Sequence, residues 1–261
     1  MESLTFNLHF TDLCNYHCKH CFVNKSGKEL SLDEIKIIVD KLVDYKKTHN
    51  INIRVNLAGG EPLVSDNIQS IIDYIYESRL DVSIITNGYY LTEEFIVNNS
   101  NKLSMIGISV DSINHDTNLM IGRCCKGETL SKDKLVSLFK VIRQNGIKSK
   151  INTCITSNNV DEDINELLEE VQPDRIKVLR AYCEPCLSKY NITDEQWENA
   201  KKKYTDPRIV FEDNDFMKTG YLIIDSEGNL SKNNLHITNN SVLTKTIDEA
   251  LQFIELYRRK E

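Results

Sequence analysis

Residues 5–22 read TFNLHFTDLCNYHCKHCF, and the reading of the whole chain starts from this stretch. Thr5–Phe10 has the β-branched and aromatic content of a strand, and it runs directly into a loop carrying Cys14, Cys18 and Cys21. The spacing CxxxCxxC places three thiols on one short loop. Thiolates are soft ligands suited to iron–sulfur clusters and to zinc. A four-iron cluster normally takes four protein ligands, so three leave one iron open to a substrate or cofactor. The alternative is a structural zinc, which needs a fourth ligand; His17, His20, Cys183 and Cys186 are the candidates in the sequence.

Working outward, strand and helix alternate. Ser31 caps a helix whose apolar residues Leu32, Ile35, Ile38, Val39 and Leu42 recur at helical spacing. Ile51–Leu57 reads as the second strand, ending in Ala58-Gly59-Gly60-Glu61-Pro62, and Asn67–Tyr76 as the next helix. Further strands fall at Leu80–Thr86, Leu103–Val110, Ile147–Ile155 and Arg175–Ala181. Helices at Thr92–Asn98, Lys132–Gln144 and Val160–Val171 lie between them. Such alternation implies parallel βαβ units, and right-handed crossovers curl the sheet into a closed or partial barrel. An open doubly wound sheet is the alternative.

The rest of the chain differs in character. Asp194–Tyr204 and Lys245–Tyr257 read as helices, and Tyr221–Asp225 with Asn229–Ser231 as a hairpin around Glu227-Gly228. The chain thus divides into a core over 1–185 and a C-terminal α+β extension over 186–261 that caps it, the two forming one compact unit.

Composition narrows the function. A chain of 261 residues with 40% hydrophobic content is long enough to bury a sizeable core without disulfide staples. Its eight cysteines are therefore read as metal-binding or incidental rather than bridged. A net charge of −7 argues against a general nucleic-acid binder. The opening MESLTFNLHF has no basic signal-peptide region, and no apolar run is long enough to span a membrane. A cytoplasmic protein with neither a membrane nor a nucleic-acid partner is the expectation.

The strand ends carry the polar residues. Asn87 follows the third strand and Ser109 lies in the fourth; in barrels of parallel strands, ligands bind at the C-terminal ends. Lys150 and Asn152 share one face of the fifth strand, and Arg175 and Lys177 one face of the sixth. Parallel strands covered by helices are normally apolar on both faces, and a buried cation is costly unless paired. Neither strand supplies a matching carboxylate, so an anion is the expected partner. With Lys25 beside the cysteine loop and Arg123 after Ile121-Gly122, these cations could surround a polyphosphate. The plainer alternative is a solvent-lined face over which the lysines snorkel.

With its CxxxCxxC loop after the first strand, the aromatic Phe22 after the third cysteine, and Gly59-Gly60-Glu61-Pro62 after the second strand, the chain resembles the radical S-adenosylmethionine (SAM) superfamily. The Gly-Gly pair suits close approach of backbone to a ligand. More specific segments extend the likeness: Asn7-x-His9-Phe10-Thr11, Ile108-Ser109-x-Asp111-Ser112, Asn118-x2-Ile121-Gly122-Arg123, Lys150-Ile151-Asn152, Arg175-x-Lys177-Val178 and Tyr221-Leu222-Ile223-x-Asp225. Over residues 5–255 the chain resembles the viperin-like family of SAM-dependent nucleotide dehydratases.

That resemblance implies a partial (βα)6 TIM-like barrel of the radical SAM type, with a [4Fe–4S] cluster on Cys14, Cys18 and Cys21. Phe22, Gly59, Gly60, Glu61, Asn87, Ser109 and Arg123 would hold SAM, the Glu61 carboxylate taking its amino group. Lys25, Lys150, Arg175 and Lys177 would bind a nucleoside triphosphate, with Asn7 and Asn152 near its sugar or phosphates. The implied reaction is removal of the 4′ hydrogen by a 5′-deoxyadenosyl radical and loss of the 3′ hydroxyl as water. The product is a 3′-deoxy-3′,4′-didehydro chain terminator of antiviral use, and Tyr221 is the candidate proton or hydrogen donor. The alternative is another phosphorylated or anionic substrate. An electron donor such as a flavodoxin or ferredoxin completes the partners of an expected monomer. Neither an amphipathic helix before Thr5 nor an aromatic tail at Arg258-Arg259-Lys260-Glu261 is seen, so a soluble microbial form is expected.

Overall fold

Alternation along the first strand already separates an outer from an inner face. Phe6, Leu8 and Phe10 are fully buried in one cluster with Ile35, Ile38, Val39 and Leu42 of the first helix. Asn7 and His9, on the opposite face, border a cavity. The structure is a computed structural model that describes residues 3–21, 23, 26–181, 189–213, 221–232 and 237–258.

The strands are β1 Ser3–Thr11, β2 Asn52–Gly59, β3 Asp81–Thr86, β4 Leu103–Ser109, β5 Lys148–Ile155, β6 Arg175–Arg180, β7 Ile209–Glu212, β8 Leu222–Ile224 and β9 Leu230–Lys232. They form one sheet in the order β7-β6-β5-β4-β3-β2-β1-β8-β9. β1 to β7 pair in parallel with their sequential neighbours, and β8 joins β1 in parallel and β9 antiparallel. An open doubly wound sheet reverses its strand order at a switch point. No reversal occurs from β1 to β6, which leaves the partial (βα)6 barrel. Side chains also meet across the opening, since Tyr221 before β8 donates a hydrogen bond to Glu212 of β7.

The helices are α1 Leu32–His49, α2 Ile68–Glu77, α3 Glu93–Asn98, α4 His115–Ile121, α5 Lys132–Gln144, α6 Asn165–Val171, α7 Asp194–Lys203 and α8 Ile247–Arg258. A reciprocal Ser31–Glu34 capping box starts α1, and Asn50 in the left-handed region ends it. The sixth helix is shorter than its periodicity predicts. Thr156 and Asn159 hold a turn there, with Asn159 accepting from the Thr156 amide at 2.7 Å and donating to Asp111 O at 2.8 Å.

Two elements differ from the sequence reading. α4 was not expected, because its apolar residues Leu119 and Met120 face solvent. β7 was not expected either, and it lies within the extension read as a cap. Residues after 186 add β7 at one edge of the sheet and β8–β9 at the other, while the proposed boundary at 185/186 lies outside the described residues.

Candidate active site

The cysteine loop is gripped from two sides by glycines. On the β2 side, Gly60 N donates to Thr11 O at 2.7 Å and Glu61 N to Leu13 O at 2.8 Å. On the α4 side, His17 N donates to Gly122 O at 3.2 Å and Lys19 N to Ile121 O at 2.9 Å. A Cβ on Gly60 would stand 2.1 Å from Leu13 O, one on Gly59 2.4 Å from Thr11 O, and one on Gly122 2.3 Å from His17 O. The Gly-Gly pair was read as room for a ligand. Its first duty in the structure is to let two stretches of the chain's own backbone touch. Asn87 helps from β3, its amide donating to Asn15 Oδ1 at 2.7 Å.

Cys14, Cys18 and Cys21 border a cavity of about 280 Å³. Burial pushes the Cys18 thiol up to about 12 against the pull of Arg123, so a thiolate there needs a metal to stabilise it. Among the described residues no three His, Cys, Asp or Glu side chains converge as a single ion requires. Three thiols lining a wide cavity fit a cluster that keeps one iron open. Cys183 and Cys186, the zinc alternative's extra thiols, lie outside the described residues.

Glu61 is buried at the same end. Its Oε1 accepts from Thr86 Oγ1 at 2.6 Å and Leu63 N at 3.1 Å, and its Oε2 from Asn87 N at 2.6 Å. Burial raises its pKa while these donors oppose the rise. A carboxylate offers about four acceptor positions, which leaves one for an ammonium group. The carboxylate therefore fits an amino-acid moiety such as that of SAM.

Beside the cluster loop, Asp111 organises a buried charged set. Arg123 Nη1 pairs with Asp111 Oδ2 at 3.1 Å and Nη2 donates to Ser109 O at 2.6 Å. His20 Nε2 lies 3.3 Å from the same carboxylate, and Cys154 N donates to its Oδ1 at 2.9 Å. Burial works against the charge on Asp111, yet Arg123, His20 and the Cys154 amide hold its pKa at about 2. Arg123 thus lines the cavity with its charge compensated by Asp111.

The inner end of the cavity is polar. Lys150 is 8% exposed and Lys177 6% exposed. Lys177 forms an ion pair with Glu212 and donates to the Tyr221 hydroxyl at 2.6 Å, with its ammonium 5.0 Å from the ring centroid. The missing carboxylate therefore exists, and it comes from β7. Burial and Glu212 together raise the Tyr221 pKa. Lys150 has no carboxylate partner among the described residues; burial, then Lys177 and Arg175, push it down to about 7.

Of the remaining expected residues, Asn152 lines the cavity with a buried Oδ1 that no described group satisfies. Asn7 is largely engaged: it accepts from Asn56 at 2.8 Å and donates to Leu222 O at 3.1 Å, tying β8 to β1. Arg175 is exposed and outside the cavity lining. Phe22 and Lys25 lie outside the described residues. The sequence gives no role to Glu212, Asp111, Asn56 or His9 and names His20 only as a zinc candidate, although all but Glu212 lie in the cavity lining. Only burial of a carboxylate next to a lysine would have exposed Glu212, and burial is not visible in a four-residue strand.

A parallel barrel with three thiols and a buried carboxylate at its strand ends defines a class. The signature of the radical SAM superfamily matches residues 8–171, and the chain belongs to that superfamily. Membership brings with it a [4Fe–4S] cluster and SAM. The S-adenosylmethionine-dependent nucleotide dehydratase of Fibrobacter sp. (strain UWH6) is 30% identical over 294 aligned residues, covering 100% of this chain and 87% of that protein. A protein of the same description from Pseudoalteromonas ulvae is 32% identical over 257 residues, covering 89% of this chain and 82% of that one. Within the superfamily the chain is a member of this dehydratase family. Streptococcus suis SuiB, solved bound to S-adenosylmethionine, matches with a TM-score of 0.74 at 16% identity, covering 96% of this chain and 65% of that one. That likeness concerns the fold.

Proposed function

We propose that this chain dehydrates a ribonucleoside triphosphate to its 3′-deoxy-3′,4′-didehydro analogue. The observation that carries this reading is one cavity with three thiols at its mouth and two buried lysines at its inner end. The shared description of the relatives, nucleotide dehydratase, supports it. When bound, the cluster and SAM supply a 5′-deoxyadenosyl radical that takes the 4′ hydrogen.

The chain's own residues do the rest. Cys14, Cys18 and Cys21 hold the cluster, and Glu61 takes the SAM ammonium, with Gly59, Gly60, Asn87, Ser109 and Arg123 around it. Lys150 and Lys177 attract the triphosphate electrostatically, with Arg175 outside the lining, and Asn152 offers its unsatisfied oxygen to a ligand hydroxyl. Tyr221 is the proton donor to the 3′ hydroxyl as it leaves as water, and one electron then completes the product. A flavodoxin or ferredoxin supplies the electrons, and the product serves antiviral defence as a chain terminator. Among the described residues no helix is long and apolar enough to cross a membrane, which is compatible with a cytoplasmic monomer.

The test is anaerobic incubation of reduced, cluster-loaded protein with SAM and each of the four ribonucleoside triphosphates. Release of 5′-deoxyadenosine stimulated by at least one nucleotide is expected, with a product lighter by one water. Release that no nucleotide stimulates overturns the dehydratase reading in favour of another anionic substrate. No release with any substrate overturns the radical chemistry itself.

A further inference from the structure

The end of α4 presents Leu119 and Met120 to solvent, 36% and 47% exposed. It lies against the cysteine loop, tied by the hydrogen bonds from His17 N to Gly122 O and from Lys19 N to Ile121 O. On the loop itself the exposed side chains are Leu13, His17 and Lys19. The chain has 39 Asp and Glu residues and a net charge of −7, yet no carboxylate side chain falls within 13–21 or 117–127. The exposed lysines of these stretches are Lys19 and Lys126. Of the carboxylates nearest in sequence, Asp12 and Asp111 are buried, Glu128 accepts from the Tyr89 hydroxyl at 2.8 Å, and Asp116 stands in the first turn of α4. Exposed apolar residues elsewhere, such as Ile37, Val97 and Leu256, sit on α1, α3 and α8, each of which carries two or more carboxylates.

We propose that the face built from the cysteine loop and the end of α4 is the docking surface for the electron carrier, and that this carrier is an acidic one-electron protein. The inference rests on the reading above that a flavodoxin or ferredoxin supplies the electrons. Electron transfer weakens steeply with the distance between redox centres, so a carrier has to seat beside the loop that holds the three cysteines. In each encounter the carrier loses one electron and the cluster gains it, with no bond formed or broken. The overall negative charge repels an acidic partner from most of the surface, and the carboxylate-free face offers the opposite sign. Leu119 and Met120 supply an apolar centre and Lys19 and Lys126 a charged rim, enough for the small, brief contact that redox partners make. None of these four residues lines the cavity.

The experiment follows bleaching of the cluster absorbance in stopped flow, with reconstituted protein mixed anaerobically with a reduced flavodoxin, a reduced acidic ferredoxin or dithionite. Lys19→Glu/Lys126→Glu is expected to slow reduction by either carrier by about tenfold or more at low salt, and reduction by dithionite by less than about threefold. The gap is expected to narrow as sodium chloride is raised, because exposed charges are screened. Met120→Ser removes apolar contact without changing charge, so its slowing of the carriers is expected to persist at high salt.

Lys47→Glu/Lys202→Glu makes the same charge change in the last turns of α1 and α7, at the opposite end of the strands from the loop. Its rates are expected to stay within about twofold of those of the unaltered protein. Lys19 lies between two cysteines of the loop, so all variants are matched for iron and sulfide content. Lys126→Glu, outside the loop, is also measured alone, with slowing of about threefold expected. Equal slowing by the Lys47 and Lys202 pair overturns the face in favour of net charge. Reduction of Lys126→Glu by the carriers at the unaltered rate overturns it as well, and so does failure of both carriers to reduce the unaltered protein. If the carriers reduce the cluster with the expected variant pattern while no nucleotide stimulates release of 5′-deoxyadenosine, the nucleotide reading falls and the docking face stands.

Discussion

At the mouth of the cavity, backbone meets backbone; at the inner end, charged side chains meet one another. The mouth is steric: Thr11, Leu13 and His17 carbonyls leave no room for a Cβ on Gly59, Gly60 or Gly122. The inner end is electrostatic, with Glu212 compensating one of two lysines. A steric site answers to substitution in an all-or-none way, because a misplaced loop misplaces three thiols together. An electrostatic site answers by degree, and it responds to pH. The superfamily signature over residues 8–171 contains the mouth and Lys150, but β6 and β7 fall beyond it. The clamped loop and the Lys177–Glu212 pair thus come from separate stretches of sequence around one cavity.

The sharpest way to break this contrast is at Gly60. Gly60→Ala forces the loop away from Leu13 O, and iron and sulfide content after anaerobic reconstitution should fall by more than about tenfold with the circular dichroism of the fold retained. Full cluster loading by this variant would remove the steric account of the mouth. Asp111→Asn comes next. It leaves Arg123 buried without its carboxylate, and a stability loss of about 3 kcal/mol is expected in denaturant unfolding; an unchanged midpoint would mean that Arg123 does not depend on the pair.

The inner end should respond to pH instead. Lys150 sits near 7 in place of the ordinary lysine value of 10.5. Anion binding favours its protonated form, so tripolyphosphate affinity should fall by about tenfold between pH 7 and 9. That slope should vanish in Lys150→Gln. For folding the sign runs the other way. Because the folded value is lowered, the unfolded chain holds more protons between about 7 and 10.5, and stability rises with pH across that window. Lys150→Met should therefore raise the melting temperature near pH 7, with the gain shrinking as the pH approaches 10.5. A gain that grows with pH would exclude a depressed lysine.

The smallest effect belongs to neither end. Ser31→Ala removes the α1 cap and should cost about 1 kcal/mol with cluster loading and anion affinity unchanged. A change in either would show that the two ends are coupled through the scaffold.

The strand–helix alternation was legible because the core-facing residues of β1 and α1 repeat at periods that differ between strand and helix. Local spacing made the cysteine loop legible, and the strand-face argument made Lys150, Asn152 and Lys177 legible. Partners brought together by the fold were not. Glu212 reaches Lys177 from a strand of four residues, Ile209–Glu212, whose Val210 is exposed and so blurs the pattern. Asp111 reaches Arg123 and His20 through turns whose geometry no periodicity encodes. Gly59 and Gly60 were recognised as special but for a different reason, since the approach of two backbones depends on how β1 and β2 register.

The hydrogen bond from Asn7 to Leu222 O spans 215 positions of sequence. Ser83 donates to Asn56, which donates to Asn7, so β3, β2, β1 and β8 share one polar tie. Contacts of such separation form late, because the entropy of closing the intervening loop must be overcome first. During synthesis the cysteine loop and its glycine clamps can assemble while Tyr221 is still unmade. The wall that carries Tyr221 arrives only when β8 docks against the strand that opened the chain. The Tyr221 wall of the cavity therefore depends on a contact of long sequence separation, whereas the cysteine loop and its Gly60 clamp depend on shorter ones.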